Sequence, residues 1–184
     1  MTKPFKHRIP MILTYIRMLL SIVVVSLLYV PVEGIGWVAC FVFVVASITD
    51  YIDGHLARKY NVESVLGQLI DPVADKVLVL SALVMLLHFD RIDPILVIIL
   101  LSRDAFIAGL RSVAASKNLV IAADKLGKWK TGFQMVGIPL LLAHPVPYDL
   151  PMHPLGYFCL WVSVILSVLS GIQYSLVFFK KVPH

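Results

Sequence analysis

Asp50-Tyr51-Ile52-Asp53-Gly54-His55-Leu56-Ala57-Arg58, followed by Gly67 and then Asp71-Pro72-Val73-Ala74-Asp75, places four aspartates within 26 residues of a chain that otherwise avoids charge. These acids sit at or inside stretches apolar enough to cross a bilayer, where an ionised side chain costs about 2.5–3.5 kcal/mol on insertion scales. Asp50 and Asp53 are three residues apart, and Asp71 and Asp75 are four apart. On a helix both spacings bring two side chains onto one face, with Cβ atoms about 5–6 Å apart. The stretch therefore reads as two acidic helix faces that repel each other unless a cation holds them together.

The surrounding composition supports a membrane setting. The chain has 184 residues, of which 59% are hydrophobic and 15% charged. A soluble domain carries about 45–50% apolar and about 25% charged residues. The formal charge of +5 points to cytoplasmic loops and anionic lipid rather than to nucleic acid. Cys40 and Cys159 fall in apolar stretches without a spacing motif, so they read as small buried hydrophobes. Lys3, Lys6 and Arg8 precede a long apolar run with no small-residue cleavage site, which reads as a retained first span rather than a signal peptide.

A spanning helix needs about 20 apolar residues. Six stretches qualify, at 9–31, 34–58, 67–88, 93–116, 126–145 and 154–179. They are separated at Pro31 with Gly34–Gly36, at Asn61, at Asp90–Pro94, at Lys117–Asn118 and through the Pro-rich 145–154. Short connections predict one all-α integral membrane domain over 1–184, a bundle of six transmembrane helices. Lys and Arg cluster before helix 1, after helices 2 and 6, and around the helix 4–5 loop, while the three opposite loops contain only Arg91. Both termini are thus expected on the cytoplasmic side.

On that topology the polar residues fall in one cytoplasmic layer: Arg17, the four aspartates, Lys76, Arg103, Asp104 and Arg111. A purely structural network, pairing Asp71, Asp75 and Asp104 with Lys76, Arg103 and Arg17, would explain one acid better than it explains four. Two facing carboxylate pairs supply the hard oxygen ligands of Mg²⁺, Mn²⁺ or Ca²⁺. With no His or Cys at ligand spacing, zinc is disfavoured. Two divalent ions would balance four carboxylates and form a clamp for phosphoryl chemistry. Gly54 and Ala57 would let a ligand or a neighbouring helix approach closely. Arg58 suits either a phosphate or a snorkelling anchor.

The eight fixed positions of D-x2-D-G-x2-A-R-x8-G-x3-D-x3-D, running here from Asp50 to Asp75, resemble without a mismatch the signature of the CDP-alcohol phosphotransferases. The resemblance extends to Pro10, Thr14 and Arg17, to Arg103-Asp104 through Leu110-Arg111, and to Leu126-Gly127-Lys128-Trp129-Lys130-Thr131. These last two segments look most like the bacterial phosphatidylglycerophosphate synthases. Relatives often carry Glu where this chain has Asp104.

The resemblance implies a homodimeric six-helix enzyme with two divalent cations, Mg²⁺ or Mn²⁺. It would move the phosphatidyl group of CDP-diacylglycerol to the 1-hydroxyl of sn-glycerol 3-phosphate and release CMP at the cytoplasmic face of a bacterial plasma membrane. It also implies that Asp50, Asp53, Asp71 and Asp75 hold the metals, that Asp75 doubles as general base, and that Gly54, Arg58 and Ser64 contact the CDP moiety.

The cations left over suggest where the acceptor's phosphate binds. Arg103 and Arg111 are eight residues apart and differ by only about 80° around a helix. Lys128 and Lys130 open helix 5, whose N-terminus favours anions. Arg111 and Lys128, joined by Arg103 and Lys130, form the candidate site, with Arg111 expected to lie deeper than Lys130. Without a phosphate to bind, the lysines would simply face lipid headgroups. Other acceptors within the family, as in cardiolipin or phosphatidylinositol-phosphate synthases, are the nearest alternative. A cation- or proton-coupled transporter is more remote, because the acids lie off the midplane and no repeat is visible.

Overall fold

A computed structural model describes the backbone of residues 3–60, 65–117, 119, 125–143 and 151–181, and the side chains of 15–49, 76–117, 119, 125–143 and 151–181. Among the described residues there are six helices and no strand: α1 (Lys3–Leu28), α2 (Ile35–Tyr60), α3 (Val65–His88), α4 (Pro94–Ser116), α5 (Lys125–Leu142) and α6 (Met152–Lys181). Each helix matches one of the six stretches expected from the sequence.

The breaks have local causes. After α3, the Asp90 and Arg91 amides bond back to Leu87 O at 3.0 Å and Leu86 O at 2.9 Å, with Asp90 at φ 53°. That is a left-handed helix stop in which Asp occupies the position that glycine usually takes. Three residues on, Asp93 precedes α4 in an extended conformation and Pro94 opens the helix, where its missing N–H goes unused.

α1 packs on α2 and α3, α2 on α5, α4 on α6, and α5 on α6. The α5–α6 approach is set by two glycines. A Cβ on Gly137 would lie 2.9 Å from Gly156 O, and one on Gly156 would lie 3.0 Å from Gly137 O. Backbones this close are typical of helix pairs in membranes, where small residues replace a hydrophobic driving force. The main core joins Val24, Phe43, Leu83, Leu100, Ile138 and Leu160. A second cluster of Ile107, Ala114, Tyr174 and Phe178 lies between the C-terminal parts of α4 and α6.

Large apolar side chains also cover much of the outer surface. Leu19, Phe41, Ile98, Phe158 and Phe179 are all exposed, an arrangement suited to lipid rather than to water. Among the described residues α6 is long and apolar enough to cross a membrane, while the described apolar parts of α1, α2 and α3 (Tyr15–Leu28, Ile35–Thr49 and Lys76–His88) are shorter.

Contacts define the two poles of the bundle. Tyr29 stacks obliquely on His88 at 5.6 Å, Arg91 Nη1 donates to Leu141 O at 2.9 Å, and Tyr157 donates to Asp93. These contacts gather residues 29–34, 89–93, the end of α5 and the start of α6 at one pole, called distal below. The alternating helices carry both described ends of the chain to the opposite, proximal pole.

Candidate active site

The proximal pole is built from the C-terminal part of α2, the N-terminal parts of α3 and α5, and the C-terminal parts of α4 and α6. Asp50, Asp53, Gly54 and Arg58 fall on α2, and Asp71 and Asp75 on α3. The backbone is helical through both segments, so the three- and four-residue spacings of the acids are helical spacings. The side chains of these six residues lie outside the described residues, as does Ser64 altogether. Among the described residues no group of three or more His, Cys, Asp or Glu comes together as a metal site. The four aspartates of the Asp50–Asp75 run offer carboxylate oxygens, which suit a hard divalent cation.

Beyond Asp75 the side chains can be followed. Lys76 is exposed on α3 and within Coulombic reach of Lys130 on α5. Lys130 is buried, at 4% exposure, and its ammonium binds Asp104 of α4. Asp104 Oδ1 also accepts from Arg103 Nη1 at 3.1 Å. One carboxylate, itself one-quarter exposed, therefore compensates two cations from different helices. Removing one partner of such a pair leaves the other charged and desolvated, which is why the arrangement holds α4 and α5 in fixed relation.

The rest of Arg103 is held by α6. Its Nε donates to Ser167 O at 2.9 Å and its Nη2 to Ser170 Oγ at 2.5 Å. Ser170 is itself buried and returns its own proton to Ser167 O at 3.1 Å. The Arg103 stem lies along Gly171, where a Cβ would meet it at 3.4 Å. One turn from Ser170, the buried Tyr174 presents its ring to Arg111, whose Cζ lies 5.6 Å from the ring centroid. Lower on the same helix, Ser163 Oγ donates to Lys130 O at 3.1 Å. Lys128, at the start of α5, is exposed, and Arg17 on α1 is buried.

The four residues proposed for the acceptor's phosphate thus divide in two. Arg103 and Lys130 are drawn together by Asp104, whereas Arg111 and Lys128 are exposed. Lys130 is buried inside the bundle and Arg111 lies on its surface. Lys130 can stay inside because Asp104 is its partner.

Sequence reasoning left α6 as a plain span and missed its polar stripe. The signal was present in Ser163, Ser167, Ser170 and Tyr174, spaced four, three and four residues apart and so on one face of an otherwise apolar helix. His153 and Tyr157 lie in the first turns of α6. They stack at 6.2 Å, with His153 Nε2 3.1 Å from Arg91 O and Tyr157 bonded to Asp93. Cys40 and Cys159 are free cysteines within α2 and α6.

Comparison with known proteins bears on this geometry. A family model described as CDP-alcohol phosphatidyltransferase matches residues 7–169. The CDP-diacylglycerol–glycerol-3-phosphate 3-phosphatidyltransferase of Bacillus subtilis (strain 168) is 42% identical over 145 residues, covering 79% of this chain and 74% of that protein. The enzyme of the same name from Rickettsia typhi is 33% identical over 167 residues, covering 90% and 94%. That from Haemophilus influenzae is 36% identical over 173 residues, covering 92% of each.

Proposed function

This chain belongs to the CDP-alcohol phosphatidyltransferase family, and we propose that it transfers the phosphatidyl group of CDP-diacylglycerol to sn-glycerol 3-phosphate, giving phosphatidylglycerophosphate and CMP. The observation that carries this reading is the meeting at one pole of two unlike sets. The acidic run ends at Asp75, and its next residue, Lys76, comes within electrostatic reach of the Arg103–Asp104–Lys130 cluster. A nucleotide pyrophosphate bound through metal needs the first set, and a phosphorylated acceptor needs the second. The relatives named above carry the same reaction in their names.

In this reading Asp50, Asp53, Asp71 and Asp75 would hold two divalent cations, Mg²⁺ or Mn²⁺. When bound, these neutralise charge on the pyrophosphate and on the departing CMP. Gly54, Arg58 and Ser64 bind the CDP moiety. Arg111 and Lys128, assisted by the remaining donors of Arg103 and Lys130, hold the phosphate of the acceptor and turn its 1-hydroxyl toward the donor. Asp75 takes the proton of that hydroxyl as its oxygen bonds to the lipid-side phosphorus and the bond from that phosphorus to CMP breaks. A carboxylate among cations is a weak base, so alignment contributes more to the rate than basicity does.

The setting follows from the same reading. A single domain over 1–184 crosses a bacterial plasma membrane six times, with both termini and the site at the cytoplasmic face, and acts as a homodimer. The apolar outer surface supports the lipid environment. The acyl chains of the donor then stay in the membrane while its pyrophosphate reaches the aspartates.

The test is CMP release by purified protein supplied with CDP-diacylglycerol, Mg²⁺ or Mn²⁺, and a panel of acceptors. Release with glycerol 3-phosphate, and little with serine, inositol phosphate or phosphatidylglycerol, is the expected result. No CMP with any acceptor would refute the enzyme, and preference for inositol phosphate would move it to another branch of the family.

A further inference from the structure

α6 contributes none of the residues in the motifs of the reaction, yet it holds both arginines of α4. We propose that Ser170 and Tyr174 are positioning residues that preset Arg103 and Arg111 for the phosphate of the acceptor. The proposal rests on the acceptor site described above and adds the elements that keep it in shape.

Arg103 lies near the middle of α4, where a cationic side chain must either reach for water or find partners inside the bundle. Here the Nε–Nη2 edge is turned inward and used by Ser167 O and Ser170 Oγ, while Nη1 is used by Asp104. A guanidinium has five N–H donors. With one taken on each nitrogen, one N–H on Nη1 and one on Nη2 remain to meet the oxygens of a phosphate.

Ser170 does not need Arg103 for its own satisfaction, because its hydroxyl already donates to Ser167 O at 3.1 Å. Its lone pair is the added feature, and it serves Arg103. Arg111 is fixed by a different contact, the face of the buried Tyr174 ring beneath its guanidinium. Ser170 and Tyr174 are one turn apart, so a single face of α6 holds two arginines that α4 sets eight residues apart.

Arginine gives up much rotamer freedom when it grips an anion. Contacts that restrain it beforehand leave less to be lost at binding. Loss of those contacts is therefore expected to weaken use of the acceptor and to spare use of the lipid donor.

Steady-state kinetics of the full-length protein in detergent with CDP-diacylglycerol and Mg²⁺ separate the possibilities. Ser170→Ala and Tyr174→Leu are each expected to raise KM for glycerol 3-phosphate by about five- to tenfold, with KM for CDP-diacylglycerol within about twofold. Tyr174→Phe, which keeps the ring face, restores the acceptor KM. In an Arg103→Ala background Ser170→Ala has no further effect, because the two act as one unit. Equal rises in both KM values would indicate general damage and overturn the proposal. Raised acceptor KM in Arg103→Ala and Arg111→Ala, with none in Ser170→Ala and Tyr174→Leu, would overturn it alone. Unchanged acceptor KM in the two arginine variants would remove the acceptor site and this proposal together.

Discussion

The two poles of the bundle use the same kinds of side chain to opposite ends. Among the described residues the distal pole carries Glu33, Asp90 and Asp93 against Arg91. On its α4–α5 side, next to the helices that bear the acidic run, the proximal pole carries the described Asp104 against Arg103, Arg111, Lys128 and Lys130. At the distal pole the cation is absorbed by the fold. Arg91 caps α5 through Leu141 O and Leu142 O at 2.9 and 3.1 Å and lies over Phe89, while its own carbonyl meets His153. Burial pushes its pKa down, though an arginine stays charged in a protein. On the α4–α5 side of the proximal pole Asp104 is the one described carboxylate among Arg103, Arg111, Lys128 and Lys130. An arginine bonded to helix carbonyls is a fastener, and a set of arginines and lysines with too few acids is a receptor for an anion.

That contrast can be broken in several ways. The largest effect is expected at the acidic run, where Asp75→Asn should lower turnover by about 10³-fold or more if Asp75 is the base and a metal ligand, while binding of CDP-diacylglycerol persists. Activity near wild type in that variant would remove Asp75 from both roles. Asp104→Ala comes next, because it strands Lys130 and frees Arg103 at once. A stability loss of about 2–4 kcal/mol is expected, the lower end reflecting the partial exposure of Asp104. Thermal unfolding in detergent would show it, and an unchanged midpoint would mean that Lys130 finds water instead.

At the distal pole Arg91→Ala should cost about 1–3 kcal/mol by leaving two α5 carbonyls without their donor, with KM for both substrates unchanged. Acceptor KM that moved with Arg91 would erase the distinction between the poles. The smallest effect belongs to Tyr157→Phe, which removes one partly exposed bond to Asp93 and should lower stability by about 1 kcal/mol or less.

The α3–α4 break was legible in the sequence because both helices end there at residues with a local reason to stop. Asp90, Asp93 and Pro94 bound α3 and α4 within a residue or two of where the apolar stretches break. The acidic run stood out because charge in an apolar chain is expensive. What the sequence hid are contacts across helices. Arg103 and Ser170 are 67 residues apart, and Asp104 and Lys130 are 26 apart. No one-dimensional spacing joins them. Serine is also a quiet signal in an apolar helix, since it can bond to its own backbone, as Ser21 does with Met18 O and Ser175 with Gly171 O. The stripe on α6 acquires meaning only when α4 is laid against it.

The most direct test of the account measures KM for glycerol 3-phosphate in Arg111→Ala and Arg91→Ala side by side, at saturating CDP-diacylglycerol. The account predicts a rise of about tenfold or more in the first, as expected for a lost charged contact to the acceptor's phosphate, and no change in the second. An unchanged value in Arg111→Ala, or equal rises in both variants, would contradict it.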